Sequence, residues 1–239
     1  MQLRFLSTIQ KQVKSVRSRH HCGTICRIFC IYCKKSILLQ HKNARIIGIT
    51  GGMGSGKSRV CRYLGRLCQM EVVDLDDICR KLLLPGNDGW QALKENIDSR
   101  FFQSDGELDR VSFRDELFKN KQFRNLVDSL LHPLAQKKMN HQLAGVEGMV
   151  LVEIPLLFEA GWQDYVDVII VVYAEKVHRM QRIVNRDGVS EEQAGLAISA
   201  QYSLSRKASL AHYVVDNSGS WKKTCNQLEH LSEALGCKD

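Results

Sequence analysis

The sequence predicts an α/β fold, a parallel sheet of about five strands flanked by helices. Three observations lead there. Short apolar runs alternate with helix-like patterns from residue 45 to residue 219, which is the spacing of strands joined by crossover helices. The run at 166–172 is rich in Val and Ile, as expected for a strand covered on both faces. The run at 45–50 ends in a glycine-dense turn that leads straight into a helical pattern.

That turn reads Thr50-Gly51-Gly52-Met53-Gly54-Ser55-Gly56-Lys57-Ser58. Gly51, four intervening residues, then Gly56, Lys57 and Ser58 satisfy the phosphate-loop pattern. Glycines let the backbone curl so that successive N–H groups point at phosphate oxygens, and the helix that follows adds the positive end of its dipole. Lys57 can reach β and γ phosphates, and the Ser58 hydroxyl can ligate Mg²⁺. A Gly-rich turn that binds nothing is the plain alternative.

The elements follow in order. Residues 45–50 read as a buried strand. Residues 57–67 read as a helix with Val60, Tyr63, Leu64 and Leu67 on one face. A short strand at 71–74 precedes Asp74-Leu75-Asp76, and a helix at 77–84 is stopped by Pro85-Gly86. Residues 85–147 are mostly helical. Asp105-Gly106-Glu107-Leu108-Asp109-Arg110 forms a turn into one helix, and Leu131-His132-Pro133-Leu134 interrupts another. Strands at 149–154 and 166–172, a helix at 177–185 and a last strand at 213–215 complete the pattern, closed by Asp216-Asn217-Ser218-Gly219.

A chain of 239 residues with 44% apolar content suits one domain with a full core. Its formal charge of +8 is unevenly spread. Residues 1–44 hold nine Lys or Arg and no acid, leaving 25 basic and 26 acidic residues in the rest. The basicity therefore belongs to the leader and is no sign of a nucleic-acid-binding face on the remainder. The leader is open to three readings. It is an organelle transit peptide, a metal module built on Cys22, Cys26, Cys30 and Cys33, or a disordered extension. Cys61, Cys68, Cys79, Cys225 and Cys237 show no pair spacing, which favours a reduced compartment. No apolar run is long enough for a transmembrane helix, so no membrane partner is expected.

Ligands of open α/β sheets sit beyond the carboxyl ends of the strands, and three polar features are expected there beside the loop. Asp74 and Asp76 share a face if the extended chain continues. Such carboxylates could take a proton from an attacking hydroxyl or hold Mg²⁺ through water, although Asp76 would equally suit a helix N-cap. Glu153, after the third strand, is either a group behind the metal or the partner of a basic side chain. Arg182 and Arg186, four apart, present two guanidinium groups that could clamp a phosphoryl group, whereas Arg179 reads as part of a solvated face. His132 before Pro133 is open both as a ligand contact and as a helix-terminating residue. Together these features point to phosphoryl transfer to a small acceptor.

The ordered set of motifs resembles the dephospho-CoA kinase family from about Arg45 to Gly219. It runs through Ile49–Ser58, Val73-Asp74-Leu75-Asp76 with Arg80 and Pro85-Gly86, Asp105-Gly106, Leu108-Asp109-Arg110, Leu131-His132-Pro133, Ile154-Pro155-Leu156-Leu157-Phe158-Glu159, Gln181-Arg182, Arg186-Asp187, Gln201, and Val215–Gly219. The resemblance implies a P-loop NTPase-type kinase domain over 45–239, with a helical CoA-binding insert at about 78–145 and a lid at about 186–200. It implies ATP and Mg²⁺ as cofactors and dephospho-CoA as acceptor, phosphorylated at its ribose 3′-hydroxyl. A monomer or weak oligomer in the cytoplasm is expected, or in mitochondria if the leader is a transit peptide.

The resemblance also implies roles. Asp76 is the base, with Asp74 beside it, and Lys57 and Arg182 act on the transferred phosphate. Gly51, Gly52, Met53, Gly54, Ser55, Gly56, Lys57, Ser58, Arg59 and Arg186 bind the nucleotide. Thr50, Arg110, His132 and Leu156 line the acceptor side, and Ser58 holds Mg²⁺. Four positions depart from the family pattern: Arg59 where Thr is common, Glu153 where Asp is common, Ala197 in place of an Arg, and His212 in place of an Asp. A near-neutral 45–239 predicts that any salt-sensitive nucleic-acid binding disappears when residues 1–44 are removed, which a gel-shift titration checks.

Overall fold

β1 (Ala44–Gly51) is the middle strand of a five-stranded sheet of order β2-β3-β1-β4-β5 in a computed structural model that describes residues 44–237. The readings made of the leader fall outside the described residues, apart from Ala44. β3 (Gly148–Glu153) and β4 (Val168–Tyr173) flank β1 in parallel, and β5 (Tyr213–Asp216) extends β4 in parallel. The edge strand β2 is Glu71–Asp74. Ile47 lies opposite Leu151 on one side and Val168 on the other, and Ile49 opposite Glu153 and Ile170. β4 starts later than its apolar run because Asp167 closes the sheet end first. Its N–H donates to the Ile46 carbonyl (2.8 Å), and its carboxylate accepts from the Ile46 N–H (2.7 Å).

The chain divides into two units. Among the described residues, the first combines 44–72 with 147–237. It contains α1 (Lys57–Leu67), which follows the glycine-rich loop. Ile47, Ile49, Leu151, Ile170 and Val172 of the sheet share a core with Val60 and Leu64 of α1 and with Leu228 and Leu231 near the C-terminus. This burial of aliphatic side chains, each contributing about 1.5–3 kcal/mol, holds the strand ends in register.

The second unit spans residues 73–146. It holds α2 (Leu75–Leu82), α3 (Asp88–Asn96), α4 (Arg110–Lys119) and α5 (Lys121–Leu143). Its core gathers Leu93, Phe101, Leu108, Phe113 and Val127, with the rings of Phe101, Phe113 and Phe123 in contact at centroid distances of 5.0–6.1 Å. Asp109 caps α4 by accepting from the N–H groups of Val111 and Ser112, and Asn120 caps α5 in the same way.

The remaining elements belong to the first unit: α6 (Lys176–Asp187), α7 (Glu191–Ser199), α8 (Leu204–Ser209) and α9 (Trp221–Leu235). The sequence reading assigns nothing to α9, whose Leu228, Leu231 and Leu235 are buried beside Thr224 and Ser232. Cys68, just after α1, is disulfide-bonded to Cys237, just after α9, with Cα atoms 5.0 Å apart. Two of the scattered cysteines, which show no pair spacing along the chain, are therefore paired in the fold, which counts against the reduced compartment that their spacing favours. Their separation of 169 residues hides a contact that α9 creates. Among the described residues no helix is long and apolar enough to cross a membrane.

Two local expectations are also corrected. α2 begins at Leu75 rather than at residue 77, because the Asp74 side chain supplies the cap two residues earlier. His132 and Pro133 do not interrupt a helix, since α5 runs through both for 23 residues. Pro133 has no N–H to donate to the carbonyl of Ser129, and its ring crowds that carbonyl. Replacing Pro133 by Ala should restore the bond and stabilise the chain by about 1–3 kcal/mol. An unchanged or lowered midpoint in urea unfolding would count against this account of the helix.

Candidate active site

The glycine-rich loop joins β1 to α1, and most of the donors to its carbonyls come from later in the chain. The Gly51 carbonyl accepts from Lys207 Nζ (3.3 Å) and the Gly52 carbonyl from Lys57 Nζ (3.1 Å). The Met53 carbonyl accepts from Arg179 Nε (2.8 Å). Arg182 Nη1 reaches the carbonyls of Gly54 (3.3 Å) and Ser55 (3.4 Å), and Asn217 Nδ2 also donates to Ser55 (2.8 Å). Every carbonyl from Gly51 to Ser55 is therefore held by a side-chain donor. Because the C=O and N–H of a trans peptide lie in one plane and point in opposite directions, fixing each carbonyl also fixes the direction of the next N–H.

Two glycines are required by position. A β-carbon on Gly51 would lie 2.5 Å from the Val172 carbonyl of the adjoining strand. Gly56 has φ +89°, and a β-carbon there would collide with Asn217 Nδ2. The loop is closed internally by the Ser55 N–H on the Gly52 carbonyl (3.1 Å), and Gln201 Oε1 accepts from the Met53 N–H (2.9 Å). Among the described residues, Ser55 Oγ is buried without a hydrogen-bond partner.

Ser58, exposed at the first turn of α1, donates its hydroxyl to Glu153 Oε1 (2.7 Å) at the end of β3. A hydroxyl backed by a buried carboxylate is an oxygen-donor pair of the kind Mg²⁺ accepts while it keeps most of its water and phosphate ligands. Lys207 of α8 is fully buried and pairs with Glu159 (2.8 Å). Burial pulls its ammonium below the ordinary lysine value, against the opposing effect of Glu159.

The structure corrects several expectations for single residues. Arg179 is not part of a solvated face. It is buried, and its guanidinium lies so close over Gly52 that a β-carbon there would sit 2.5 Å from Nη2. Burial lowers its pKa from the usual arginine value. Arg182 and Arg186 have different partners. Arg182 binds loop carbonyls and that of Asn217 (2.8 Å), whereas exposed Arg186 makes a two-pronged pair with the neighbouring Asp187 (2.6 and 2.7 Å). Arg59, expected at the nucleotide, lies with its guanidinium over the Trp221 ring at 3.9 Å. Thr50, expected at the acceptor, is buried and donates its hydroxyl to the Pro155 carbonyl (3.2 Å). Leu156, just beyond β3, is 46% exposed.

Asp74, Asp76, Arg110 and His132 belong to the second unit. Asp74 and Asp76 do not share the face of an extended strand, because the helix has already begun. Asp74 is the N-cap and accepts from the N–H groups of Asp76 (2.9 Å) and Asp77 (3.2 Å), while Asp76 lies exposed in the first turn. Nearby Cys79 has its thiol pushed up to about 11 by burial and by the charges of Asp76 and Asp74. Arg110 is exposed at the start of α4, and His132 is half-buried on α5, 3.7 Å from Asp128. Sequence reasoning gave no site role to Lys207, Glu159 or Asn217. Glu159 and Asn217 stood within quoted motifs, but nothing local marks Lys207.

Comparison with known proteins agrees with the loop. A family model described as dephospho-CoA kinase matches residues 45–223. A dephospho-CoA kinase of Carboxydothermus hydrogenoformans is 35% identical over 199 residues, covering 81% of this chain and 96% of that protein. One from Geobacillus kaustophilus is 34% identical, covering 76% and 92%. The crystal structure of TT1252 from Thermus thermophilus superposes with a TM-score of 0.69 at 29% identity, covering 81% of this chain and 99% of that one.

Gly56→Ala is expected to weaken nucleotide binding by about tenfold or more, since the left-handed backbone alone costs about 1–2 kcal/mol and Asn217 must also leave Ser55. Titration calorimetry with ATP checks this, and wild-type affinity would contradict the geometry.

Proposed function

Because this chain belongs to the dephospho-CoA kinase family, we propose that its residues divide the family's reaction among them as follows. The family uses ATP to phosphorylate dephospho-CoA, the final step of coenzyme A synthesis. The observation that carries the assignment is the loop whose five consecutive carbonyls are each held by a side-chain donor. That arrangement would turn the N–H groups of Gly54, Gly56 and Lys57 toward the ATP phosphates, with the Lys57 side chain supplying charge to the β and γ groups. Ser58, backed by Glu153, would hold Mg²⁺, which when bound neutralises charge developing on the phosphates.

Asp76 is the base in this reading. It accepts the proton of the ribose 3′-hydroxyl as that oxygen bonds to the γ-phosphorus and the bond to ADP breaks. Asp74 is the positioning partner, because its Oδ1 is already committed to two N–H groups and fixes the turn that carries Asp76. Arg182 keeps guanidinium hydrogens beyond those given to the three carbonyls, and these can meet the transferred phosphoryl group. Gly188, in the left-handed region with φ 65°, ends α6 and separates it from α7. We read the segment at about 186–200 as the lid and residues 78–145 as the acceptor-binding insert, with Arg110 and His132 contributing to it.

Purified protein given ATP, Mg²⁺ and dephospho-CoA should form ADP and CoA. Turnover of a nucleoside monophosphate or shikimate in place of dephospho-CoA would overturn the assignment of the acceptor. Asp76→Asn should lower kcat by about 10²–10⁴-fold, and Asp74→Ala should chiefly lower stability, by about 1 kcal/mol. Lys57→Ala should also lose most of kcat. Near-wild-type kcat in Asp76→Asn would remove that residue as base.

A further inference from the structure

We propose that Lys207, held by Glu159, is a positioning residue for ATP. Its ammonium sets the direction of the Gly51 carbonyl and ties the start of the phosphate loop to the end of β3. Lys207 is fully buried, and its three hydrogens meet three acceptors: the carbonyls of Gly51 (3.3 Å) and Pro155 (3.1 Å) and Glu159 Oε1 (2.8 Å). Gly51 is the first glycine of the loop. Pro155 follows β3 by two residues, next to the strand end whose Glu153 accepts the Ser58 hydroxyl. One cation therefore fixes the spacing between the two strand ends that carry the loop and the group behind Ser58.

The same carboxylate reaches further. Glu159 Oε1 also accepts from the Tyr202 N–H (2.9 Å), while the preceding residue, Gln201, accepts from the Met53 N–H (2.9 Å). Two consecutive residues just after α7 thus touch the loop directly and through the Glu159–Lys207 pair. A change in the position of α7 has a short route to the loop through them.

A buried ion pair is poor evidence of a stabilising role, because apolar side chains of the same volume often serve as well. The two carbonyls distinguish the cases here. An apolar residue at 207 removes the ammonium from the Gly51 carbonyl and leaves the Pro155 carbonyl with only the Thr50 hydroxyl, which a charge-neutral repacking cannot repair.

The proposal rests on the loop being an ATP site and not on the identity of the acceptor, so the primary readout is ATP binding with Mg²⁺ alone. Three full-length proteins are compared with wild type: Glu159→Gln, Lys207→Met, and the double variant Lys207→Met/Glu159→Gln. The single Lys207→Met leaves a buried carboxylate without its cation, whereas the double variant removes both charges at nearly constant volume. Glu159→Gln, which keeps Lys207 on both carbonyls, is expected to bind ATP within about threefold of wild type. The double variant is expected to fold with a lowered melting temperature, to bind ATP about tenfold or more weakly and to show a matching rise in KM for ATP but not for dephospho-CoA. Wild-type ATP affinity in a folded double variant overturns the proposal, as does failure of the double variant to fold, which would make the pair structural. Wild-type protein that binds ATP but ignores dephospho-CoA would overturn the acceptor assignment alone.

Discussion

The site in the first unit depends on one constraint: the carbonyls of the phosphate loop are held by side-chain donors. A loop of glycines is free to adopt many shapes, and only a few present successive N–H groups to one anion. Here Lys207, Lys57, Arg179, Arg182 and Asn217 take the carbonyls of Gly51 to Ser55 and remove most of that freedom. Four of these donors are cations. They contribute positive charge around the loop as well as geometry, so the same side chains that shape the cradle also favour what it binds. The cost of burying Arg179 and Lys207 is met by hydrogen bonds to backbone oxygen, supplemented for Lys207 by Glu159.

The second unit is stabilised by different means. Its core is small and rich in aromatic rings, and its helices are started by side-chain caps at Asp74, Asp109 and Asn120. Caps fix the first turns of helices to within a residue, which matters where a first turn carries a chemical group. Asp74 illustrates this. As a cap it places Asp76 and Asp77 in a defined turn, with Asp77 further held by Lys81 (2.8 Å). The carboxylate that looks like one half of a pair in the sequence is the one that orients the other.

Much of this was legible in advance where the signal is local. The loop pattern, the Val and Ile of β4 and the helical face of Val60 and Leu64 all follow from spacing along the chain. The misses share a cause. Pro133 reads as a break because proline disfavours helix interiors, yet packing of Val127, Ala135 and Met139 on the same helix carries α5 through it. Arg179 reads as solvated because arginine in an isolated helix is best solvated, and burial there depends on what lies across from it. Cys68 and Cys237 carry no spacing signal because α9 brings them together.

By itself the sequence determined that a strand ends in a phosphate-binding loop, that the sheet is parallel and which family the chain belongs to. Those properties are written in consecutive residues or in an ordered set of short motifs. Only the tertiary structure decided how the loop is held. The donors to its carbonyls come from 126 residues away for Arg179, 156 for Lys207 and 162 for Asn217. A hydrogen bond acts over about 3 Å, so partners that far apart in the chain are selected by the way β4, α6, α8 and β5 return to the same sheet end, and no local pattern can announce them.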